Sequence, residues 1–150
     1  MSEPKIVLVS ACLLGINCRY DGGNKRDHKT LEWLKDKLPI PICPELFTGL
    51  GFPRPSAEIE KGDGFTLLAG KTRVVLKNGK EVTGEFIQAS REALKLANFY
   101  SVEMALLKDR SPTCGVNYIY NHGKPVRGVG IFTALLIKQG IKVMSEQELE

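Results

Sequence analysis

The sequence predicts an α/β fold: a Rossmann-like, largely parallel sheet flanked by helices, with a β-hairpin insertion. Three observations point there. Strand-sized apolar runs at Lys5–Val9, Pro39–Cys43 and Ser101–Leu107 alternate with segments of helical periodicity, as βαβ units do. Asn78-Gly79, a two-residue turn signal, falls between β-like runs and adds a hairpin. The length of 150 residues suits one domain with a working core, so residues 1–150 read as a single unit.

Taken in order, Lys5 to Val9 is a strand candidate and Gly15 to Asn24 a loop. A short amphipathic helix begins near His28, with Asp27 as N-cap and Leu31, Leu34 and Leu38 on one face. Pro39 to Cys43 forms a second run, and its prolines argue against a central strand. Residues 44–63 read as a long Pro- and Gly-rich loop, a kind of segment that is usually functional in a small domain. Phe65–Ala69 and Arg73–Leu76 look β-like, the latter leading through Asn78-Gly79 into Lys80–Val82. The best helix runs from Thr83 to Asn98, with Phe86, Ala89, Ala93, Leu94 and Ala97 near one face and Glu85 at its positive end. Ser101 to Leu107 is a third, buried strand leading to Ser111–Gly115. Tyr118–Tyr120 and Val126 flank a small hairpin through Asn121-His122-Gly123. A last helix spans Gly130 to Gln139 with Gly140 as its stop. Ile141–Met144 reads as a final strand, and Ser145 to Glu148 has capping-box spacing.

Composition narrows the function classes. Hydrophobic residues at 43% and charged residues at 25% are ordinary for a soluble globular protein. No apolar run approaches the roughly 18 residues that mark a membrane span, and the N-terminus lacks the basic and long apolar regions of a signal peptide. The expectation is a cytoplasmic protein with reduced thiols and no membrane partner. The net charge of +4 is spread along the chain, which is weak support for a polynucleotide groove.

The cysteines carry the chemistry. Cys12, Cys43 and Cys114 each stand just past an apolar run, in Ser-Ala-Cys-Leu-Leu-Gly, Ile-Cys-Pro-Glu and Ser-Pro-Thr-Cys-Gly. In an open α/β sheet, ligands bind outside the carboxyl ends of the strands. Parallel strands would therefore bring these thiols to one edge. Soft thiolates select zinc, copper(I) or iron–sulfur clusters. The paired Cys-x-x-Cys of most zinc sites is absent, whereas three dispersed cysteines suit three corners of a [4Fe–4S] cluster. The competing view makes them small buried core residues. Cys18 reads as a non-ligand, with a fourth-ligand role left open.

Glu45, two residues past Cys43, reaches the same edge as a candidate acid or base or serves only as a turn cap. The Ser111 hydroxyl orients substrate or forms a local Ser turn. Tyr20, Asp21 and Arg54 lie in the two long loops as candidate substrate-binding residues. Arg19, Arg54 and Glu58 there either shape a pocket or make surface ion pairs of little worth. Asp109 and Arg110 fit a surface loop equally well. His28 and His122 belong to a helix start and a hairpin tip, so neither is read as a catalytic base.

At these residues the chain resembles the thiouracil desulfurase (TudS-like) family. The matching stretches are Ser10–Gly15, Arg19–Gly23, Cys43–Glu45 with Gly49-Leu50 and Pro53–Pro55, Ser111–Gly115 and Gly130–Leu136, and they extend over essentially the whole chain. The resemblance implies a Rossmann-like domain whose [4Fe–4S] cluster is held by Cys12, Cys43 and Cys114. It also implies that the free iron captures the sulfur of a thiolated uracil, that Glu45 activates water or relays protons, and that Ser111 assists at the substrate. Water then replaces sulfur without redox change, releasing hydrosulfide. Thr113 stands where the family often has Ser. Larger relatives carry an extra domain associated with tRNA; its absence here favours a free base, nucleoside or nucleotide. Two other classes remain: a non-catalytic zinc module, and a small-ligand binding domain whose cysteines are only core.

Overall fold

The run after Pro4 forms a central strand, β1 (Ile6–Ser10), in the computed structural model, which describes residues 3–149. The chain continues through α1 (His28–Trp33), β2 (Leu38–Ile42), β3 (Ala57–Ile59), α2 (Gly64–Leu68), β4 (Val74–Leu76) and α3 (Thr83–Phe99). It ends with β5 (Met104–Leu107), β6 (Tyr118–Asn121), β7 (Lys124–Arg127), α4 (Ile131–Lys138) and β8 (Lys142–Ser145). The main sheet has the order β2-β1-β5-β8 and every pairing in it is parallel. The expected α/β class and the expected hairpins are both present.

Side chains of a strand alternate between faces, and both faces here are covered. Leu8, Ala105 and Leu107 meet Ala93, Ala97, Phe132 and Leu136 of α3 and α4. Val7, Val9 and Leu106 meet Leu13 and Leu34 on the other side. That double coverage explains the near-continuous apolar runs of β1 and β5. β2, with Pro39 and Pro41, occupies the sheet edge, where the missing donors cost least. A third cluster, including Ile59, Val74, Phe86 and Ile119, packs the two small antiparallel sheets β3-β4 and β6-β7 against α3.

Several expectations need correction. Phe65–Ala69 is helical through Leu68, because the Asp63 carboxylate accepts from the N–H groups of Phe65 and Thr66 while the Thr66 hydroxyl accepts from the Asp63 N–H. This capping box outweighs the β-like composition. α1 stops at Trp33, so Leu38 begins β2, half exposed, instead of extending the helical face. Residues 44–63 are not wholly irregular: they hold a 3-10 turn, Pro44–Thr48, and β3. The Asn78-Gly79 turn forms, but its returning arm is a single bridge, Val75 to Glu81; the main partner of β4 is β3.

Candidate active site

Three adjacent parallel strands each deliver one cysteine loop. β1 runs directly into a 3-10 turn, Ala11–Leu14, and the Cys12 carbonyl accepts the N–H groups of Gly15 and Lys25. β2 ends at Ile42, leaving Cys43 as N-cap of the Pro44–Thr48 turn, which α3 packs along. β5 leads into the loop of Cys114. Asp109, for which the sequence left a surface loop as an equal alternative, is only 3% exposed and organises this loop. Its Oδ1 accepts from the N–H groups of Arg110, Val116, Asn117 and Tyr118, each at 3.0 Å. Burial alone would push its carboxyl up, but the four backbone donors outweigh it and hold the pKa below the usual range.

The same loop caps α4. The N–H groups of Ile131 and Phe132, which have no partner within the helix, donate to the carbonyls of Pro112 and Thr113 at 2.9 Å. Gly130 lies so close that a Cβ there would collide with the Thr113 carbonyl and the Cys114 nitrogen. Ser111 Oγ accepts from the N–H groups of Thr113 and Cys114 at 3.2 and 3.0 Å, the local Ser turn foreseen as one alternative.

These loops enclose a cavity of about 410 Å³ at the carboxyl edge of the sheet. Cys12, Cys43 and Cys114 all line it, and so does Cys18. All four are free thiols. The convergence expected from the strand ends is what the chain adopts, and Cys18 joins it. Glu45 lies beside them with its Oε1 3.0 Å from Arg54 Nη2 and its Oε2 accepting from Thr113 Oγ1 at 3.1 Å. Arg54, with a side chain 2% exposed, also donates to the carbonyls of Cys18 and Gly51. Among the described residues its Nε, like that of Arg19, is buried without a hydrogen-bond partner, although Arg19 Nε stands 3.9 Å from Asp21 Oδ1. Lys108 reaches the same wall, held by Glu146 Oε2 at 3.2 Å.

The thiols are costly to ionise alone. Burial pushes the Cys12 thiol up to about 11, with Cys43 adding to the rise and Arg19 and Lys108 opposing it. Burial also drives Cys114 well above its ordinary value. Cys43 Sγ donates to the Cys18 carbonyl at 3.7 Å, and the closeness of the two side chains raises the Cys43 thiol and lowers that of Cys18. A cationic centre shared among Cys12, Cys43 and Cys114 would offset the cost of ionising them. The donor chemistry therefore fits a soft metal group. Among the described residues, no three His, Cys, Asp or Glu side chains converge tightly enough for a single ion. A cubane cluster presents separate irons to separate thiolates and does not need that convergence.

Of the other sequence candidates, Glu45, Ser111, Tyr20, Arg54, Arg19 and Glu58 line the cavity. Asp21 does not: it is exposed, and its Oδ1 accepts the Gly23 N–H at 2.9 Å, so it shapes the loop. His28 and His122 stay outside, as expected. Sequence reasoning missed Thr113, Lys108 and Arg110 as lining residues. Two signals were available: Lys108 follows a strand end, and Thr113 adjoins Cys114.

Fold and site together define an open α/β protein that gathers thiols, a carboxylate and cations at the carboxyl edge of its sheet. The chain belongs to the 2-thiouracil desulfurase family, whose sequence model matches residues 7–148. It is similar to YbbK of Bacillus subtilis strain 168, a protein described as uncharacterized, with 37% identity over 147 residues that cover 96% of this chain and 97% of YbbK. A solved structure of the [4Fe-4S]-dependent thiouracil desulfidase TudS superposes with a TM-score of 0.82 and 39% identity, covering 97% of this chain and 93% of that one.

Proposed function

We propose that this chain is a [4Fe–4S]-dependent thiouracil desulfurase, acting as one α/β domain that replaces the sulfur of a thiolated uracil by oxygen from water and releases hydrosulfide. The observation that carries the reading is the meeting of Cys12, Cys43 and Cys114 in one cavity with Glu45, in a chain of this family. We assign the three thiols as cluster ligands. When bound, the group supplies a thiophilic Lewis acid at its iron without a protein ligand.

The remaining roles fall to the chain itself. Glu45 takes a proton from the attacking water or returns one to the departing group. Arg54 and Thr113 hold its two oxygens, so the carboxylate enters the reaction already oriented. The place of Arg54 in the cavity wall supports a contact with the substrate, and Tyr20, 40% exposed on the rim, supports a stacking role. Ser111 assists from the opposite loop by holding the Thr113 and Cys114 backbone beside the substrate. The cavity volume supports a base, nucleoside or nucleotide as substrate in preference to tRNA. Four free cysteines support a reducing cytoplasm as its location.

The family match and the [4Fe-4S]-dependent structural relative favour the cluster reading over a zinc module. The test is desulfuration by anaerobically reconstituted protein: 2- and 4-thiouracil and their nucleosides are followed by loss of thiocarbonyl absorbance and by hydrosulfide release. Stoichiometric sulfide with uracil or uridine product is the expected result. Reconstituted protein that turns over none of these substrates contradicts the proposal.

A further inference from the structure

We propose that Thr113 is a positioning residue for this reaction, its hydroxyl joining Ser111 to Glu45 and fixing both groups relative to the cavity. The inference rests on the function proposed above. Thr113 is 1% exposed, and its Oγ1 lies 3.1 Å from Glu45 Oε2 and 3.0 Å from Ser111 Oγ.

Hydrogen-bond valence sets the direction of this chain. An ionised carboxylate only accepts, so the single Thr113 proton points to Glu45. Thr113 Oγ1 also lies 3.7 Å from Cys114 Sγ, but a thiol sulfur is a weak acceptor and competes poorly with a carboxylate for that proton. A lone pair of Thr113 is then left facing Ser111. Ser111 Oγ already accepts from the N–H groups of Thr113 and Cys114, so its own proton goes to Thr113. One buried hydroxyl thus decides where the Glu45 carboxylate stands and which way the Ser111 proton points. The two groups come from loops 66 positions apart in sequence, and Thr113 supplies a direct bond between them.

The test compares Thr113→Val, which keeps the side-chain volume and removes the hydroxyl, with Thr113→Ser, which keeps the hydroxyl. Thr113→Ala is carried as a second hydroxyl-free variant should valine disturb the fold. With reconstituted protein and a thiouracil substrate, kcat falls on the order of 100-fold in the valine and alanine variants. KM changes by less than about threefold, and iron content is unchanged. The serine variant restores kcat to within about threefold of the parent. Crystal structures give a readout independent of turnover: Glu45 leaves its position beside residue 113 in Thr113→Val and keeps it in Thr113→Ser. Wild-type kcat in the valine and alanine variants, or serine as impaired as valine, overturns the proposal. Glu45 unmoved in the Thr113→Val crystal overturns it too, even if the parent protein proves inactive and the functional reading itself fails.

Discussion

Replacing Asp109 by Asn should unfold the cysteine loop before it disturbs anything else. The buried carboxylate accepts four backbone N–H groups through one oxygen, and those donors bracket the segment carrying Ser111, Thr113 and Cys114. Asparagine keeps an acceptor in place but loses the charge. A hydrogen bond to a charged acceptor exceeds a neutral one by about 1 kcal/mol. Four bonds set a ceiling near 4 kcal/mol, and crowding on one oxygen reduces the expected loss to about 2–3 kcal/mol. Denaturant titration at pH 7 reads this as a lower midpoint at unchanged slope. The pH dependence supplies a second check. The folded-state pKa of Asp109 is depressed, so its stabilisation is fully present above the unfolded value of about 3.9 and is lost as pH falls through the folded value. The gap between parent and Asp109→Asn therefore closes below about pH 4. A difference under about 0.5 kcal/mol at pH 7, or a gap that widens on acidification, would refute the reasoning.

Two further outcomes follow from packing at and near the site. Arg54→Met strands the Glu45 carboxylate and leaves the Cys18 and Gly51 carbonyls without this donor. It should cost about 3 kcal/mol by denaturation, and the loss should be clearly sub-additive with Glu45→Gln in a double-mutant cycle. Phe86→Ala, at a fully buried position of α3 beneath the small sheets, should cost about 3–5 kcal/mol while leaving the iron content of folded protein unchanged.

The placement of the site was legible because it depends on strand ends, and strand ends are marked by short apolar runs. β1, β2 and β5 announced themselves that way, and once they are parallel neighbours their cysteines share an edge. α3 was legible from its periodicity and its length. What escaped was structure set by a partner distant in sequence. β3 is three residues long and exists because β4 pairs with it. α2 was misread because Asp63 and Thr66 override what Phe65 and Leu67 prefer. For Asp109 the surface reading stayed as good as any other because nothing local reveals that four later or adjacent N–H groups fold back on it. Asp21 shows the reverse error, a polar residue in the right loop that turns its carboxylate to its own backbone.

The central claim is that Cys12, Cys43 and Cys114 serve one cluster at the sheet edge. Anaerobic reconstitution of the parent and of each Cys→Ser variant, with iron and acid-labile sulfide counted per folded chain, tests it most directly. The account predicts about four irons and four sulfides in the parent and a marked loss in each of the three variants, with circular dichroism unchanged. Full iron retention in any of the three, or a parent that takes up one metal ion and no sulfide, would contradict it.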